Sequence, residues 1–199
     1  LNGDDPEVER RAEGKKGDKL RFRIGTKADA WYDRTTRQLM LGDAVLLERD
    51  AFPLLGEHNV ANALCAALIT HRAGGEPSAI ASGLTSFQAL PHRMEPVGEV
   101  NRVLWINDSK ATNVASTMVA VQAMERPFVL LLGGRHKGEP YTALAEPARA
   151  LCRGVIAYGE ARDIIVKDLE GRLPVVKKGS EFAEVLAAAA ELVRPGDAV

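Results

Sequence analysis

The stretch VLWINDSKATN, residues 103–113, joins an apolar run to a polar segment. Its first four residues are apolar, as in a strand that is buried on both faces. The residues that follow supply a carboxylate, two hydroxyls and an ammonium. In open α/β sheets, ligands bind beyond the carboxyl ends of the strands, where loops and helix N-termini meet. The stretch therefore predicts a strand, a ligand-binding loop and a helix, although Asp, Ser, Thr and Asn also fit a simple capped turn.

The sequence around this stretch alternates in the same way. A hairpin is predicted over Glu95–Ile106 with its turn at Asn101-Arg102. Continuous apolar strands separated by amphipathic helices then predict a Rossmann-like, mostly parallel α/β domain over residues 91–199, with helices on both faces of the sheet. The expected strands are 128–132, 154–158 and 175–176, and the expected helices are 114–124, 142–151, 160–168 and 180–193.

Residues 1–90 follow a different pattern. Four short β-rich runs, separated by turn residues, predict an antiparallel meander, and they cover 20–24, 30–33, 38–41 and 44–47. An apolar stripe at helical spacing then predicts a helix from Gly56 to about Ala73, and Pro77 begins a second helix to about Phe87. This part is expected to be a β-meander plus helices, joined to the next domain by a linker at 88–92.

A second strand-to-helix loop is rich in glycine. It covers Gly133–Gly138 and follows the apolar run 129–132. It is not a P-loop, because Glu139-Pro140 stands where Lys and Ser/Thr are required, and it is not the GxGxxG dinucleotide fingerprint. A tight turn is the plain alternative. Lys137 lies in this loop, where it can present its ammonium at the sheet edge to a carboxylate or a phosphate.

Three further side chains are candidates for binding. Arg93 lies at the linker, directly after His92, and can bind a phosphate. The alternative is a surface ion pair between Arg93 and Glu95. Asn59 and Asn62 lie about one turn apart near the start of a predicted helix. Asparagine is unfavourable inside helices, so two on one face suggest a function, and capping by Asn59 alone is the alternative.

Composition narrows the class of protein. The net charge of −1 gives no field that recruits nucleic acid or an anionic membrane. Cys65 and Cys152 lie in apolar segments and match no metal-ligand spacing, so a reducing, cytoplasmic environment is expected. No segment is long and apolar enough to span a membrane. The chain starts without Met and stops where a strand is expected at Val199, so we expect a fragment of a longer protein.

Four motifs, in this order, resemble those of the Mur ligases, the ATP-dependent amino-acid ligases of bacterial peptidoglycan synthesis. They are GEHNxxN at 56–62, PHRxE at 91–95, DSKATN at 108–113 and GGxxKG at 133–138. The last two are most similar to the motifs of the members that add D-glutamate. The Arg135-His136 pair departs from the acidic residue or glycine that family members often carry before the loop lysine.

The resemblance implies more than the residues alone do. Residues 1–90 would be the later part of a central ATPase domain, and 91–199 most of the C-terminal domain. The implied ligands are ATP, Mg²⁺, D-glutamate and UDP-N-acetylmuramoyl-L-alanine. The Mg²⁺ would be bound by residues upstream of this chain, and the full-length protein would be a monomer. The implied nucleotide-binding residues are Asn59, Asn62, Arg93, Asp108 and Lys110, the implied catalytic residues are Lys110 and Arg93, and the implied D-glutamate-binding residues are Thr112 and Lys137.

The implied reaction forms an acyl phosphate, which the amine of D-glutamate attacks. It requires preplaced cations, so we expect Arg93, Lys110, Thr112 and Lys137 to converge at one cleft between the two parts. The chain by itself is expected to be inactive, because the P-loop is missing from it. The alternatives are another Mur-type or a folylpolyglutamate-type ligase, a dinucleotide-binding protein, and a non-catalytic Rossmann-like binding domain.

Overall fold

The computed structural model describes all residues, 1–199, and the chain forms two compact units, Leu1–Gln88 and Ala89–Val199. Both units mix helices with β-sheet, and the second contains a parallel sheet, so the predicted α/β class is confirmed. No helix has the length and apolar character that crossing a membrane requires.

The first unit contains one four-stranded sheet in the order β1-β2-β3-β4. Its strands are β1 (Phe22–Ile24), β2 (Ala30–Asp33), β3 (Gln38–Leu41) and β4 (Ala44–Glu48). The antiparallel meander is confirmed for β2 to β4, but β1 pairs with β2 in parallel. The reason is the connection. Gly25 turns the chain back at φ 81°, and the Asp29 carboxylate accepts a hydrogen bond from Arg21 N at 2.8 Å, so β2 starts beside the start of β1.

Three helices complete the first unit. They are α1 (Pro6–Ala12), α2 (Glu57–Arg72) and α3 (Pro77–Ser86). The sequence analysis did not predict α1, which begins at Pro6 behind the N-cap Asp5. The long helix α2 has the predicted bounds within one residue. Of the predicted apolar stripe, which comprised Ala61, Leu64, Cys65, Leu68 and Ile69, Leu64 and Leu68 are buried in the core, whereas Ile69 is exposed and Val60 and Ala63 are buried instead.

The second unit begins with a confirmed hairpin. It pairs β5 (Glu95–Val100) with β6 (Val103–Asn107) in antiparallel. The two turn residues, Asn101 and Arg102, have φ of 54° and 62°, because two-residue hairpin turns that match the strand twist need positive φ at both positions.

A parallel sheet follows in the order β7-β8-β9. Its strands are β7 (Phe128–Leu132), β8 (Cys152–Ala157) and β9 (Val175–Lys177). The last residues of the chain join the hairpin to this sheet, because Ala198 forms parallel bridges to both Leu104 and Phe128. The carboxyl ends of β6, β7 and β8 therefore point to the same edge of the sheet.

Four helices lie in this unit, namely α4 (Val114–Gln122), α5 (Ala145–Ala148), α6 (Arg162–Leu169) and α7 (Phe182–Leu192). The predicted single helix over 142–151 is wrong. A 3-10 turn covers Tyr141–Leu144, and only the four residues of α5 are α-helical. Pro147 lacks the N–H group that a continuous helix over 142–151 would use to donate to the carbonyl of Ala143.

Helices cover both faces of the sheet, as predicted for a Rossmann-like domain. On one face, the core contains Leu144 of the 3-10 turn and buried residues of α4, α5 and α6, such as Ile165, together with Val155 of β8. On the other face, Ile156 of β8 packs with Val185 and Ala189 of α7. Adjacent residues of β8 thus enter opposite cores, which is why this strand is apolar throughout.

Candidate functional site

A cleft of about 850 Å³ lies within the second unit, between β6 and β7. Ala198 and Val199 occupy the start of this gap, where Val199 N donates to Leu104 O at 2.9 Å and Val129 N donates to Ala198 O at 2.9 Å. Beyond them the cleft has an apolar part and a polar rim. The apolar part is lined by buried core residues such as Val121 and Val129. The polar rim is formed by the loops after β6 and β7, and the site chemistry belongs to that rim.

The loop after β6 is fastened to the segment before β5. Asp108 Oδ1 accepts a hydrogen bond from Met94 N at 3.1 Å, and Lys110 N donates to His92 O at 3.1 Å. Asn107 Nδ2 lies 2.9 Å from His92 Nδ1. Asp108 therefore holds a backbone amide of the neighbouring segment in addition to lining the cleft.

The segment around Arg93 has an unusual backbone. His92 and Met94 have φ of 66° and 44°, a region that L-residues seldom adopt. The Glu95 carboxylate accepts from His92 N at 2.8 Å, and Arg93 N donates to Leu90 O at 3.1 Å. Every amide from His92 to Met94 thus has a partner, which stabilises the turn. The surface pair between Arg93 and Glu95 is not formed, and the exposed Arg93 side chain makes no ion pair.

The polar loop leads into α4 with a cap. Asn113 Oδ1 accepts a hydrogen bond from Ser116 N at 2.7 Å, so Asn113 is the N-cap residue. A second carboxylate reaches the same helix end, because Glu139 Oε2 accepts from Val114 N at 3.1 Å. Thr112 is exposed, lines the cleft and is left out of the capping.

The glycine-rich loop after β7 is shaped by a neighbouring aromatic ring. A Cβ added at Gly133 would lie 2.7 Å from the Tyr158 ring, so this position requires glycine. Tyr158 is half-buried, burial raises the pKa of its hydroxyl, and the edge of its ring contacts Phe182 with centroids 5.8 Å apart. Gly134 and Gly138 have φ of 90° and 91°. The loop therefore holds a shape that side chains would oppose at three positions.

Charges of both signs lie at the rim. Lys137 is exposed, lines the cleft and makes no hydrogen bond or ion pair. Arg135 lies 3.4 Å from the Glu160 carboxylate, which belongs to the loop after β8. Both partners of that pair are well exposed, so the contact is weak and Arg135 can turn toward a ligand.

The structure brings some of the predicted site residues together. Asp108, Thr112 and Lys137 line one cleft in the second unit. Arg93 and Lys110 do not line it, but each is flanked by residues that do. Both are exposed cations without an ion pair, so they remain available to a ligand.

Asn59 and Asn62 lie in the first unit, on the first two turns of α2. Asn59 Nδ2 donates to Leu55 O at 2.7 Å, which ties the helix start to the preceding loop. Asn62 is exposed and its side chain makes no hydrogen bond. Asn59 therefore has a structural role at the start of α2, whereas the Asn62 side chain is free to contact a ligand.

Sequence reasoning missed three residues that shape the rim, namely His92, Glu139 and Tyr158. Glu139 appeared only as a departure from the P-loop pattern. No local signal marks its contact, because Val114 lies 25 residues away. The motif that contains His92 suggested a role for its neighbour Arg93 instead. The contact of the His92 ring with Asn107 is evident only in the folded structure.

With this geometry in view, the chain can be placed in a class of proteins. Residues 92–199 match the family described as Mur ligase, glutamate ligase domain, and the chain belongs to that family. Particular relatives are UDP-N-acetylmuramoylalanine–D-glutamate ligases. The chain is 38% identical to that of Salinibacter ruber over 157 residues, which is 79% of this chain and 34% of the relative. It is 35% identical to that of Solibacter usitatus over 199 residues, which is 100% of this chain and 45% of the relative. The chain thus spans less than half the length of these relatives.

Solved structures share the fold. The MurF ligase of Thermotoga maritima in complex with ADP has a TM-score of 0.71 at 15% identity, covering 100% of this chain and 48% of that one. The folylpolyglutamate synthase of Thermotoga maritima has a TM-score of 0.53 at 18% identity, covering 97% of this chain and 47% of that one. At these identities the likeness concerns the fold alone.

Proposed function

We propose that this chain is part of an ATP-dependent, ADP-forming ligase that adds D-glutamate to UDP-N-acetylmuramoyl-L-alanine through an acyl phosphate in peptidoglycan synthesis. Besides family membership, the proposal rests on one structural observation. Thr112 and Lys137 come from two different strand-to-helix loops, line one polar rim and have no partner within the protein. A hydroxyl and an ammonium held in this way suit the carboxylate of an amino acid.

The same proposal assigns roles to the other predicted residues. In the second unit, Arg93 and Lys110 neutralise phosphate oxygens as negative charge develops, and Asp108 accepts from ribose hydroxyls. In the first unit, Asn59 and Asn62 contact the adenine. Bound ATP supplies the phosphoryl group that activates the carboxylate. The residues of this chain orient the reactants and balance their charge.

The resemblance implies Mg²⁺ ligands upstream of this chain, and no residue of the chain is assigned to the metal. The chain contains no cluster of three or more His, Cys, Asp or Glu residues that could hold an ion. It also contains no GxxxxGK[ST] sequence. We therefore propose that Mg²⁺ and the nucleotide phosphates are bound mainly by residues outside this chain, and that the 199 residues alone do not catalyse ligation. A cytoplasmic location and a monomeric full-length enzyme are part of the same proposal.

The test is phosphate release by the full-length protein with ATP, UDP-N-acetylmuramoyl-L-alanine and a panel of amino acids. We expect turnover with D-glutamate and at most traces with the other amino acids. Lys137→Ala should raise KM for D-glutamate about 10- to 100-fold, the loss expected for a charge-assisted hydrogen bond. Lys167→Ala, which removes an exposed lysine of α6 outside the cleft, is the control.

Other outcomes would point elsewhere. Turnover with a different amino acid, or with a folate acceptor, would assign the chain to another ligase of this superfamily. Tight NAD(P)H binding without ligation would favour a dinucleotide-binding protein. Unchanged kinetics in folded Lys137→Ala and Lys110→Ala variants would favour a non-catalytic domain.

A further inference from the structure

Glu139 connects two loops that the sequence separates. Its Oε2 accepts a hydrogen bond from Val114 N at 3.1 Å, and thus joins the loop after β7 to the first residue of α4. The first turn of α4 contains no acidic residue of its own. The Asn113 side chain accepts only from Ser116 N. Glu139 therefore supplies the one carboxylate at the positive end of this helix, where negative charge is favourable.

The other hydrogen bonds and the ion pair of the glycine-rich loop lead to α6 and to the loop before it, although the 3-10 turn that follows packs against both α4 and α6. Ala161 N donates to Gly134 O at 2.9 Å, and Arg135 pairs with Glu160. At the end of the loop, Tyr141 N donates to Asp168 of α6 at 2.8 Å. These contacts hold the loop toward α6. The Glu139 contact is the hydrogen bond that holds it toward α4.

The side chains that need this connection are Thr112 and Lys137. Thr112 lies two residues before Val114, and Lys137 lies two residues before Glu139. Neither side chain is fixed by a partner of its own, so their separation depends on the two backbones. A carboxylate ligand that contacts both requires that separation to be constant, because misplaced groups lose much of their effect.

We infer that Glu139 is a positioning residue for the amino-acid subsite, which it serves by holding the loop of Lys137 in register with the loop of Thr112. The inference rests on the proposed function and extends it to a residue that does not itself need to contact the substrate.

The experiment compares variants of the full-length enzyme after wild-type ligation of D-glutamate has been measured. Glu139→Ala should raise KM for D-glutamate about tenfold and leave KM for ATP within about twofold of wild type, where tenfold corresponds to about 1.4 kcal/mol. Glu139→Gln keeps an acceptor for Val114 N and should restore KM to within about threefold of wild type. Glu146→Ala, an acidic residue of α5 that lies outside the cleft, is the matched control and should have no effect.

A second readout does not depend on activity. Amide hydrogen exchange at Val114 should be faster in Glu139→Ala and close to wild type in Glu139→Gln. Glu139→Asp keeps the charge on a side chain one methylene shorter, so positioning predicts that KM for D-glutamate rises in this variant as well.

Several results would overturn the inference. An unchanged KM for D-glutamate in folded Glu139→Ala would do so. An Asp variant that behaves like wild type and a Gln variant as impaired as Ala would also do so, because Glu139 would then act through its charge on the substrate. Absence of D-glutamate ligation in the wild-type enzyme is a different failure, that of the proposed function itself.

Discussion

The Arg153 guanidinium and the Asp197 carboxylate form a two-point ion pair that joins the start of β8 to the turn before the final residues of the chain. Nε and Nη2 lie 2.5 and 3.0 Å from the two carboxylate oxygens. The Asp197 side chain is only 3% exposed, and it also accepts from Arg194 N at 2.7 Å. This pair fixes the turn that leads Ala198 into the gap between β6 and β7, and thus supports one wall of the cleft.

Replacing Asp197 by Asn should lower the free energy of unfolding of the second unit by about 2 kcal/mol, since hydrogen bonds to charged groups are worth about that much. Each unit contains one tryptophan, Trp31 or Trp105. Denaturant unfolding followed by Trp105 fluorescence in a Trp31→Phe background therefore reports on the second unit. Asp163→Asn breaks an exposed pair with Lys177, which solvent screens, and should have a clearly smaller effect. Equal losses in the two variants would contradict the prediction.

The same pair predicts a pH dependence of stability. The hydrogen bond from Arg153 lowers the pKa of Asp197, although burial opposes the shift. Because the folded pKa lies below the unfolded value of about 3.9, folding favours the ionised form. The stabilisation is present above about pH 4 and is lost as pH falls through the lowered pKa. Unfolding free energies of wild type and Asp197→Asn, measured from pH 6 to 2, should converge at the acid end, and a constant difference would argue against this cause.

Gly133→Ala should destabilise the second unit by about 1–3 kcal/mol, because the new Cβ would lie 2.7 Å from the Tyr158 ring. Tyr158→Ala removes the obstacle, so the double variant should lose less than the two single variants together. A coupling of about 1 kcal/mol or more in this double-mutant cycle is expected. Gly83→Ala adds the same methyl group in open space within α3 and should stabilise the first unit by about 0.5–1 kcal/mol. Additive losses at Gly133 and Tyr158 would show that the ring is not the cause.

Arg102→Gly should stabilise the second unit by about 0.5 kcal/mol. Arg102 lies at φ 62° in the turn between β5 and β6, where glycine has no Cβ penalty. Its carbonyl accepts from Gly196 N at 2.7 Å, and that backbone contact is kept in the variant. Denaturant unfolding followed by Trp105 fluorescence measures the change. A loss of stability would mean that the Arg102 side chain contributes more than its backbone costs.

Sequence patterns predicted the elements whose signals are local. The bounds of α2, the hairpin of β5 and β6, and the apolar strand β7 were predicted within one or two residues, because periodicity and turn chemistry are properties of neighbouring residues. The stretch from Pro140 to Leu151 was predicted less well. Its apolar spacing suits a helix, but Pro147 cannot donate the backbone hydrogen bond that a continuous helix needs at that position.

Part of the candidate site was also predictable from local sequence patterns. Loops after successive parallel strands share one sheet edge, so the sequence placed the polar loop and the glycine-rich loop together, and Asp108, Thr112 and Lys137 line one cleft. The residues to which these loops are hydrogen-bonded could not be predicted from the sequence. The contact of Asp108 with Met94 N spans 14 residues, and that of Glu139 with Val114 N spans 25.

The sequence by itself determined the class of fold, the order of most strands and helices, and the residues with the chemistry to bind an anion, because these depend on local pattern and side-chain type. The tertiary structure alone decided that β1 runs parallel to β2, that Asp197 pairs with Arg153, and that Glu139 closes the N-terminus of α4. The last two depend on where the chain returns after a separation of 44 and 25 residues. Such returns are set by the packing of whole elements, for which no short stretch of sequence contains the signal.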